Sequence, residues 1–457
     1  MRANIARRRV ARVHVHALWL LLAATTACAT GNSARYRALS EQWQRSTPVA
    51  GAESASDDRL FEDEAFLERR ALVHRVLERN PGLRAARHAW RAALERYPQV
   101  SALDDPMLGV GVAPRSLGSS RVDEAPKVDL SQKLPFPGKL RLRGEAALAE
   151  AEAGAHDYAA VRLRLAAMAS QLYDDYYLAA RSLEINAEHV GLLGEFQRIA
   201  AARYESGEAS QQDPLQAEVE LAHALHREVV LETALRVTAD QINALLHRPP
   251  KAALPPPPVH ALVPAEAPDP ADDLIAQALE EEPALAAAAA RVAVEESRLD
   301  LAWREYLPDF TVVGSYNWLW QEEDLQPFVG QQLDVPLQRG RRQAAVAEAE
   351  ARVEMVRSQR LAVEDEVRRA VQSGVDRLAE AHHVERLYRD HLLPAARDQV
   401  DAARSGFETG RNSFLALIDA ERNLLSVELG HEEALANLGR RRADLDRARG
   451  RVPGLAW

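Results

Sequence analysis

The chain has 457 residues, of which 27% are charged and only 5% aromatic, and its formal net charge is −11. That length allows two or three ordinary domains, and the wealth of Ala, Leu, Glu and Arg beside so few aromatics points to long helices rather than a compact enzyme. The negative balance excludes a general nucleic-acid binder, because no surplus basic surface remains to neutralise phosphates.

The chain opens on a basic segment with Arg7, Arg8, Arg9 and Arg12, followed by a short apolar run from Ala17 to Ala24. This is the layout of a secretory signal, and the run is too short to be a transmembrane helix. The one cysteine of the sequence, Cys28, follows at once. It rules out an intrachain disulfide and a paired-cysteine zinc site. Thr25-Thr26-Ala27-Cys28 resembles a bacterial lipoprotein signal, with residues 1–27 removed and Cys28 lipidated. Plain cleavage after Ala27 or Ala29 is the alternative. Residues 28–66 carry few apolar positions and predict a loosely packed N-terminal arm.

From there the chain repeats itself. Asn80-Pro81-Gly82-Leu83 returns as Glu282-Pro283-Ala284-Leu285, Pro106 as Pro308, and Leu134-Pro135-Phe136-Pro137 as Leu333-Asp334-Val335-Pro336. Ala149–Ala153 returns as Ala347–Ala351, and Ala202–Gly207 as Ser405–Gly410, with Ser210 matching Ser413. The blocks keep their order at a displacement of about 200 residues, which chance would not preserve. Repeat 1 spans 67–250 and repeat 2 spans 271–452. The Pro-rich stretch 251–270, with Pro255 to Pro258, reads as an extended connector.

Each repeat predicts the same elements. In repeat 1 a helical stretch leads to strands near Met107–Val112 and Val128–Leu134. A long helix then runs from Leu140 to about Glu205, and a turn at Ser206-Gly207 leads to a return helix ending near His247. In repeat 2 a helix runs from Asp272 toward Tyr306 and stops before Pro308. Phe310 to Trp320 alternates, with Phe310, Val312, Tyr316, Trp318 and Trp320 on one side and Thr311, Ser315 and Asn317 on the other. About ten residues of such alternation suit a tilted membrane strand, and the clustered aromatics suit an interfacial girdle. A polar turn at Glu322–Asp324 and a second strand, Phe328–Val335, follow. A helix from Arg341 to about Ser405 comes next, kinked or jointed at Pro394. Gly406 and Gly410 turn the chain, and Ser413 caps a return helix to about Arg449.

Two strands per repeat give four per chain, too few to close a barrel. Open edges are not tolerated in lipid, because each unpaired N–H or C=O costs several kcal/mol there. The strands therefore call for an oligomer: eight strands in a dimer around a narrow duct, or twelve in a trimer. A soluble coiled-coil rod would explain the helices but not the aromatic strands or the export signal.

The ordered motifs resemble the TolC-type outer-membrane efflux proteins, over about 380 residues of both repeats. The residues that carry the resemblance are Asn80-Pro81 with Leu83, Leu134-Pro135-Phe136-Pro137-Gly138-Lys139, and Tyr204–Gly207 with Ser210 and Asp213. In the second copy they are Phe407–Gly410 with Ser413, Leu417 and Asp419-Ala420-Glu421-Arg422. The resemblance implies a mainly α fold with a membrane β-barrel portion. Its duplicated helix–β-hairpin–long-helix-pair repeats would form a trimeric 12-strand β-barrel plus an α-helical barrel. It implies a passive exit duct for small molecules or metal cations, in the bacterial outer membrane with its helical part in the periplasm. The expected partners are two further copies of the chain, outer-membrane lipid, a periplasmic adaptor and an inner-membrane pump, the Phe-Pro-Gly-Lys stretch and lipoprotein-like signal leaning toward resistance-nodulation-division systems. The alternatives are a periplasmic coiled-coil adaptor or scaffold, and the exit duct of a protein secretion system.

The resemblance also places a periplasmic gate at the two helix turns. Asp213 matches an aspartate of a tip hydrogen-bond network; its usual tyrosine partner is Phe407 here, which has no hydroxyl to donate. Asn412 stands where an arginine often bridges chains, with Arg411 beside it. Asp419 matches an aspartate that in a trimer forms a ring of three carboxylates, a cation-attracting constriction. A solvated residue near a helix N-terminus is the plainer reading of both aspartates. Other chemistry is thin. His382 and His383 are adjacent and point to different helix faces, and Asp174-Asp175, Asp272-Asp273 and Glu364-Asp365-Glu366 read as solvated charges. There is no G-x-S-x-G, P-loop or H-E-x-x-H pattern, so no catalysis, cofactor or metal is expected.

Overall fold

The computed structural model describes residues 30–46, 60–61, 64–114, 117, 126–258, 262, 269–318, 320 and 322–454. The signal segment 1–27 and Cys28 lie outside them. In chain order the elements are α1 (Thr30–Arg45), α2 (Arg69–Arg79), α3 (Pro81–Leu94), α4 (Arg96–Ser101), β1 (Met107–Val112), β2 (Pro126–Leu134), α5 (Lys139–Glu205) and α6 (Gln212–Leu245). Then come α7 (Ala271–Glu281), α8 (Pro283–Arg304), β3 (Asp309–Asn317), β4 (Pro327–Asp334), α9 (Arg339–Leu387), α10 (Leu393–Glu408) and α11 (Phe414–Ala448). The protein is thus mostly helical with one small antiparallel sheet, in the order β1-β2-β3-β4.

The two halves present their main elements in the same order, although α4 has no counterpart in the second and the unbroken α5 corresponds there to α9 and α10. Both helical stretches ahead of the strands are split, at Asn80 and at Glu282, where the backbone is extended before Pro81 and Pro283. This corrects the single helix expected from Asp272 to Tyr306: the proline ring pushes its predecessor out of the helical region. Asn80 uses the break, since its Oδ1 accepts from the Gly82 amide at 2.9 Å and its Nδ2 donates to the Leu245 carbonyl at 2.9 Å.

Two compact units share the chain. One draws on the stretches up to Ser46, Ala86–Asp157 and Ala284–Val363; the other on the stretches up to Ala85, Tyr158–Pro283 and Glu364–Trp457. The first holds the sheet. In it the N-terminal arm is not loose where it is described. Leu39 of α1 is buried, Arg35 forks onto Glu152 at 2.7 Å through Nε, and the Trp43 indole donates to the Arg87 carbonyl at 3.2 Å. One buried leucine and a few long polar side chains hold this helix, which is why apolar content understated it.

The second unit holds α6, α10, α11 and the later parts of α5 and α9. Val367, Val371, Leu378 and Ala381 of α9 are buried at successive spacings of four, seven and three residues, in the manner of a coiled-coil seam. The junction expected at Pro394 is a π-helical turn over Tyr388–Leu392 immediately before α10. The wider turn accommodates a residue that cannot donate its N–H and whose ring crowds the carbonyl four residues back. Asp174 departs from its expected solvated state. Its side chain is fully buried and pairs with Arg69, and burial outweighs that guanidinium to push its carboxyl up to about 7. Asp175 pairs with Arg440 at 2.6 Å.

Candidate functional site

The register places Leu108, Leu130, Gly314 and Val329 in one row, and Val110, Val128, Tyr316 and Pro327 in the next but one. Directly paired residues of an antiparallel sheet share a face. One face is therefore mainly apolar, with Leu108, Val110, Leu130, Val312 and Val329 at its middle and Gln132 and Gln331, paired with Val312, as polar exceptions. The other carries Asp129, Ser131, Lys133, Thr311, Ser315, Asn317 and Gln332, with Met107, Val313 and Phe328 as apolar exceptions. Within the chain the apolar face is open: Val110 is 72% and Val329 81% exposed. Phe136 stacks near Phe310 at one end, while Tyr316 lies on Trp318 at 4.5 Å at the other, so aromatics mark both ends of the strands. The strand β3 stops at Asn317, short of the expected Trp320. β1 and β4 each pair on one side only among the described residues.

A buried ion cluster fixes the sheet to the helix that follows it, and sequence reasoning missed it. The Phe136-Pro137-Gly138 turn, with Gly138 at φ 93, drops Lys139 into the interior, where it is 1% exposed. Its Nζ donates to Asp309 Oδ1 at 2.9 Å, to the Leu307 carbonyl at 3.2 Å and to Glu305 Oε2 at 3.3 Å. Asp309 also accepts from the Phe136 amide at 2.9 Å, and Arg304 donates to the Pro137 carbonyl at 2.8 Å. The turn of repeat 1 is thus clamped on the strand entry of repeat 2. The signal lay in the Phe-Pro-Gly-Lys stretch, but its partner is about 170 residues away, beyond any local pattern.

The two helix turns belong to the other unit. Gly207 and Gly410 take φ of 78 and 72, which spares an L side chain the steric cost of that region. The Ser413 hydroxyl accepts from the Ala416 amide at 3.3 Å, as an N-cap does. Asp213, half-buried, accepts from the Ser210 hydroxyl at 3.2 Å. Phe407 packs on Phe414 at 5.6 Å and lies under the Arg203 guanidinium at 4.8 Å, so a cation–π contact occupies its ring. Asn412 and Arg411 are exposed, both amides bond the Gly406 carbonyl, and the Arg411 side chain donates to Thr409 Oγ1 at 3.0 Å. Asp419 is exposed, 3.5 Å from Arg422. Below the turns Leu193, Phe196, Ala217, Phe414, Leu417 and Ile418 make an apolar core. Arg422 reaches from α11 to Glu220 of α6, a buried carboxylate held below the usual range by that guanidinium. This bridge, too, joins the repeats and was not anticipated.

Among the described residues no helix is long and apolar enough to cross a membrane, and no cluster of His, Cys, Asp or Glu could hold a metal ion. The model of the family described as outer membrane efflux protein matches residues 72–247 and 274–451, most of both repeats. The chain belongs to this family. It is an efflux channel component, and the family is one of channel proteins rather than enzymes. No curated protein matches it. Among solved structures, a membrane protein from Pseudomonas aeruginosa is similar over 88% of this efflux protein and 97% of that chain, at 20% identity and a TM-score of 0.71. The open state of the MtrE outer membrane channel of Neisseria gonorrhoeae is similar over 85% and 89%, at 18% identity and a TM-score of 0.72. The outer membrane protein VceC of Vibrio cholerae follows at 16% identity and a TM-score of 0.70, over 84% and 96%. At these identities the likeness is one of fold.

Proposed function

We propose that three copies of this efflux protein close a twelve-stranded barrel in the outer membrane, four strands from each. The long helices continue it as an α-helical barrel in the periplasm. The observation that carries this reading is the sheet, mainly apolar on one face and mainly polar on the other, with both ladder edges unpaired among the described residues of a single chain. In lipid those edges demand partners; a second copy would close eight strands around a narrower opening. The duct is passive, takes small molecules or metal cations, and receives them from an inner-membrane pump through a periplasmic adaptor. Residues 67–250 and 271–452 are its two repeats, with 251–270 as connector and 28–66 as N-terminal arm. Cys28 carries the lipid after loss of 1–27. The helix turns close the periplasmic end, where Asp419 from each chain forms a carboxylate ring and Asp213, Phe407, Arg411 and Asn412 set how the turns hold together.

Outer-membrane fractions run on a gel with and without boiling test this. A trimer band that collapses on heating is expected; a soluble periplasmic monomer overturns the duct and favours the scaffold.

A further inference from the structure

His189 of α5 is buried, 4% exposed, at the end of the apolar core that underlies the helix turns. It lies between two glutamates one heptad apart on α11. Its Nε2 is 3.1 Å from Glu428 Oε2, a hydrogen bond, and its Nδ1 is 3.8 Å from Glu421 Oε2, beyond one. The Glu421 oxygen that faces the ring is buried and has no hydrogen-bond donor. The first contact is made and the second is a gap that one proton would fill.

We propose that His189 is a proton-operated clasp between the outgoing helix of repeat 1 and the return helix of repeat 2, closed when a proton enters the gap between its Nδ1 and Glu421. A neutral imidazole donates through one nitrogen only. An imidazolium donates through both and bridges Glu421 and Glu428; a protonated Glu421 donates to Nδ1 instead. Whichever atom carries the proton, the second hydrogen bond forms.

The surrounding charges fit a single proton. On α11 the groups are Glu421, Glu428 and, one turn on, half-buried His431, which burial and the nearby Arg389 and Arg397 disfavour as a cation. From α10 come Arg397, 3.6 Å from Glu428, and Arg404 and Asp401 near Glu421. From α6 comes Arg227, which donates to Asn186 Oδ1 one turn before His189. Glu428 is held low, chiefly by its hydrogen bond to His189 against burial, and stays ionised. Glu421 is pushed up, chiefly by burial and against the pull of His189 and Arg404. The two carboxylates therefore divide the work: Glu428 anchors the ring and Glu421 senses the proton.

The consequence for transport, that acidification holds α11 against α5 and keeps the turns closed, rests on the duct reading; the clasp itself does not. Amide hydrogen exchange of residues 414–436 tests it in the full chain in detergent, at about pH 5.5 and about pH 7.5, corrected for intrinsic exchange. The wild type is expected to be about tenfold better protected at the lower pH, the worth of one hydrogen bond to a charged group. His189→Gln and Glu421→Gln, each close enough in shape to the original to fold, are expected to lose that difference. A wild type with equal protection at both pH values, or a folded variant that keeps the difference, overturns the clasp. Planar-bilayer conductance at the same two pH values separates the readings: the exchange difference in a protein that conducts nothing leaves the clasp standing and removes the duct.

Discussion

Replacing Lys139 by Met tests whether the buried ion cluster is what secures the sheet to α5. The Met side chain fills the same space but donates nothing. Asp309, whose side chain is 12% exposed, keeps the Phe136 amide at 2.9 Å and Lys133 at 3.6 Å, so it is stripped in part rather than wholly. Loss of one partner from a buried charge pair costs about 3–5 kcal/mol, and those remaining contacts place this case near the lower end. The Leu307 carbonyl loses a donor as well, worth about 1 kcal/mol. Glu305 is half-exposed at 44% and adds little. A loss of about 3–4 kcal/mol corresponds to a drop of about 3–4 °C in the unfolding midpoint for a chain of this size. The assay is tryptophan fluorescence on heating in detergent, for Lys139→Met, Asp309→Asn and the double variant. Because the side-chain amide introduced by Asp309→Asn can still accept from the Phe136 N–H and leaves no buried charge, the double variant is expected to recover at least half of the loss. A Lys139→Met variant as stable as wild type, or a double variant that shows the sum of both losses, would refute the reasoning.

Gly138→Ala is expected to cost about 1–2 kcal/mol in the same assay, because its φ of 93 is strained for any L side chain and the added Cβ meets the Arg304 guanidinium. Val329→Arg, on the apolar face of the sheet, should prevent or weaken assembly of the heat-sensitive oligomer by about 2–4 kcal/mol per chain, while Ser315→Arg, on the polar face, leaves the oligomer band intact. Asp419→Ala is expected to reduce block of single-channel current by divalent cations; unchanged block removes Asp419 from the aperture. Asp174 gives a pH dependence of defined sign. Its carboxyl stands near 7 folded and about 3.9 unfolded, so the folded state binds the extra proton between those values and stability falls as pH rises through that window. Asp174→Asn should flatten that slope in denaturant titrations at pH 5 and pH 8, and an unchanged slope would assign it to other groups.

The repeat, the strand pairs and the helix turns were legible in the chain because each is written locally: alternation in Phe310–Asn317, Gly207 and Gly410 at positive φ, Ser413 before an apolar run. The expectation of an oligomer also comes from the sequence, since it needs only the number of strands and the intolerance of lipid for unpaired backbone. The expected gate residues could be named from the sequence, but their surroundings could not. That Phe407 lies beneath Arg203, or that Arg422 reaches Glu220, depends on residues about 200 positions apart meeting across the repeats.

The same limit explains the misread charges. Asp174 and Asp175 are neighbours in sequence and look alike there, yet one points inward to Arg69 and the other outward to Arg440. Lys139 reads as an ordinary basic residue at a helix start until Asp309, Glu305 and Leu307 close over it. Periodicity determines which face of a strand or helix is apolar, because that follows from the geometry of the backbone alone. Whether a charged side chain is solvated, paired or buried is decided by what the rest of the chain brings against it, and in a duplicated chain those partners often come from the other copy.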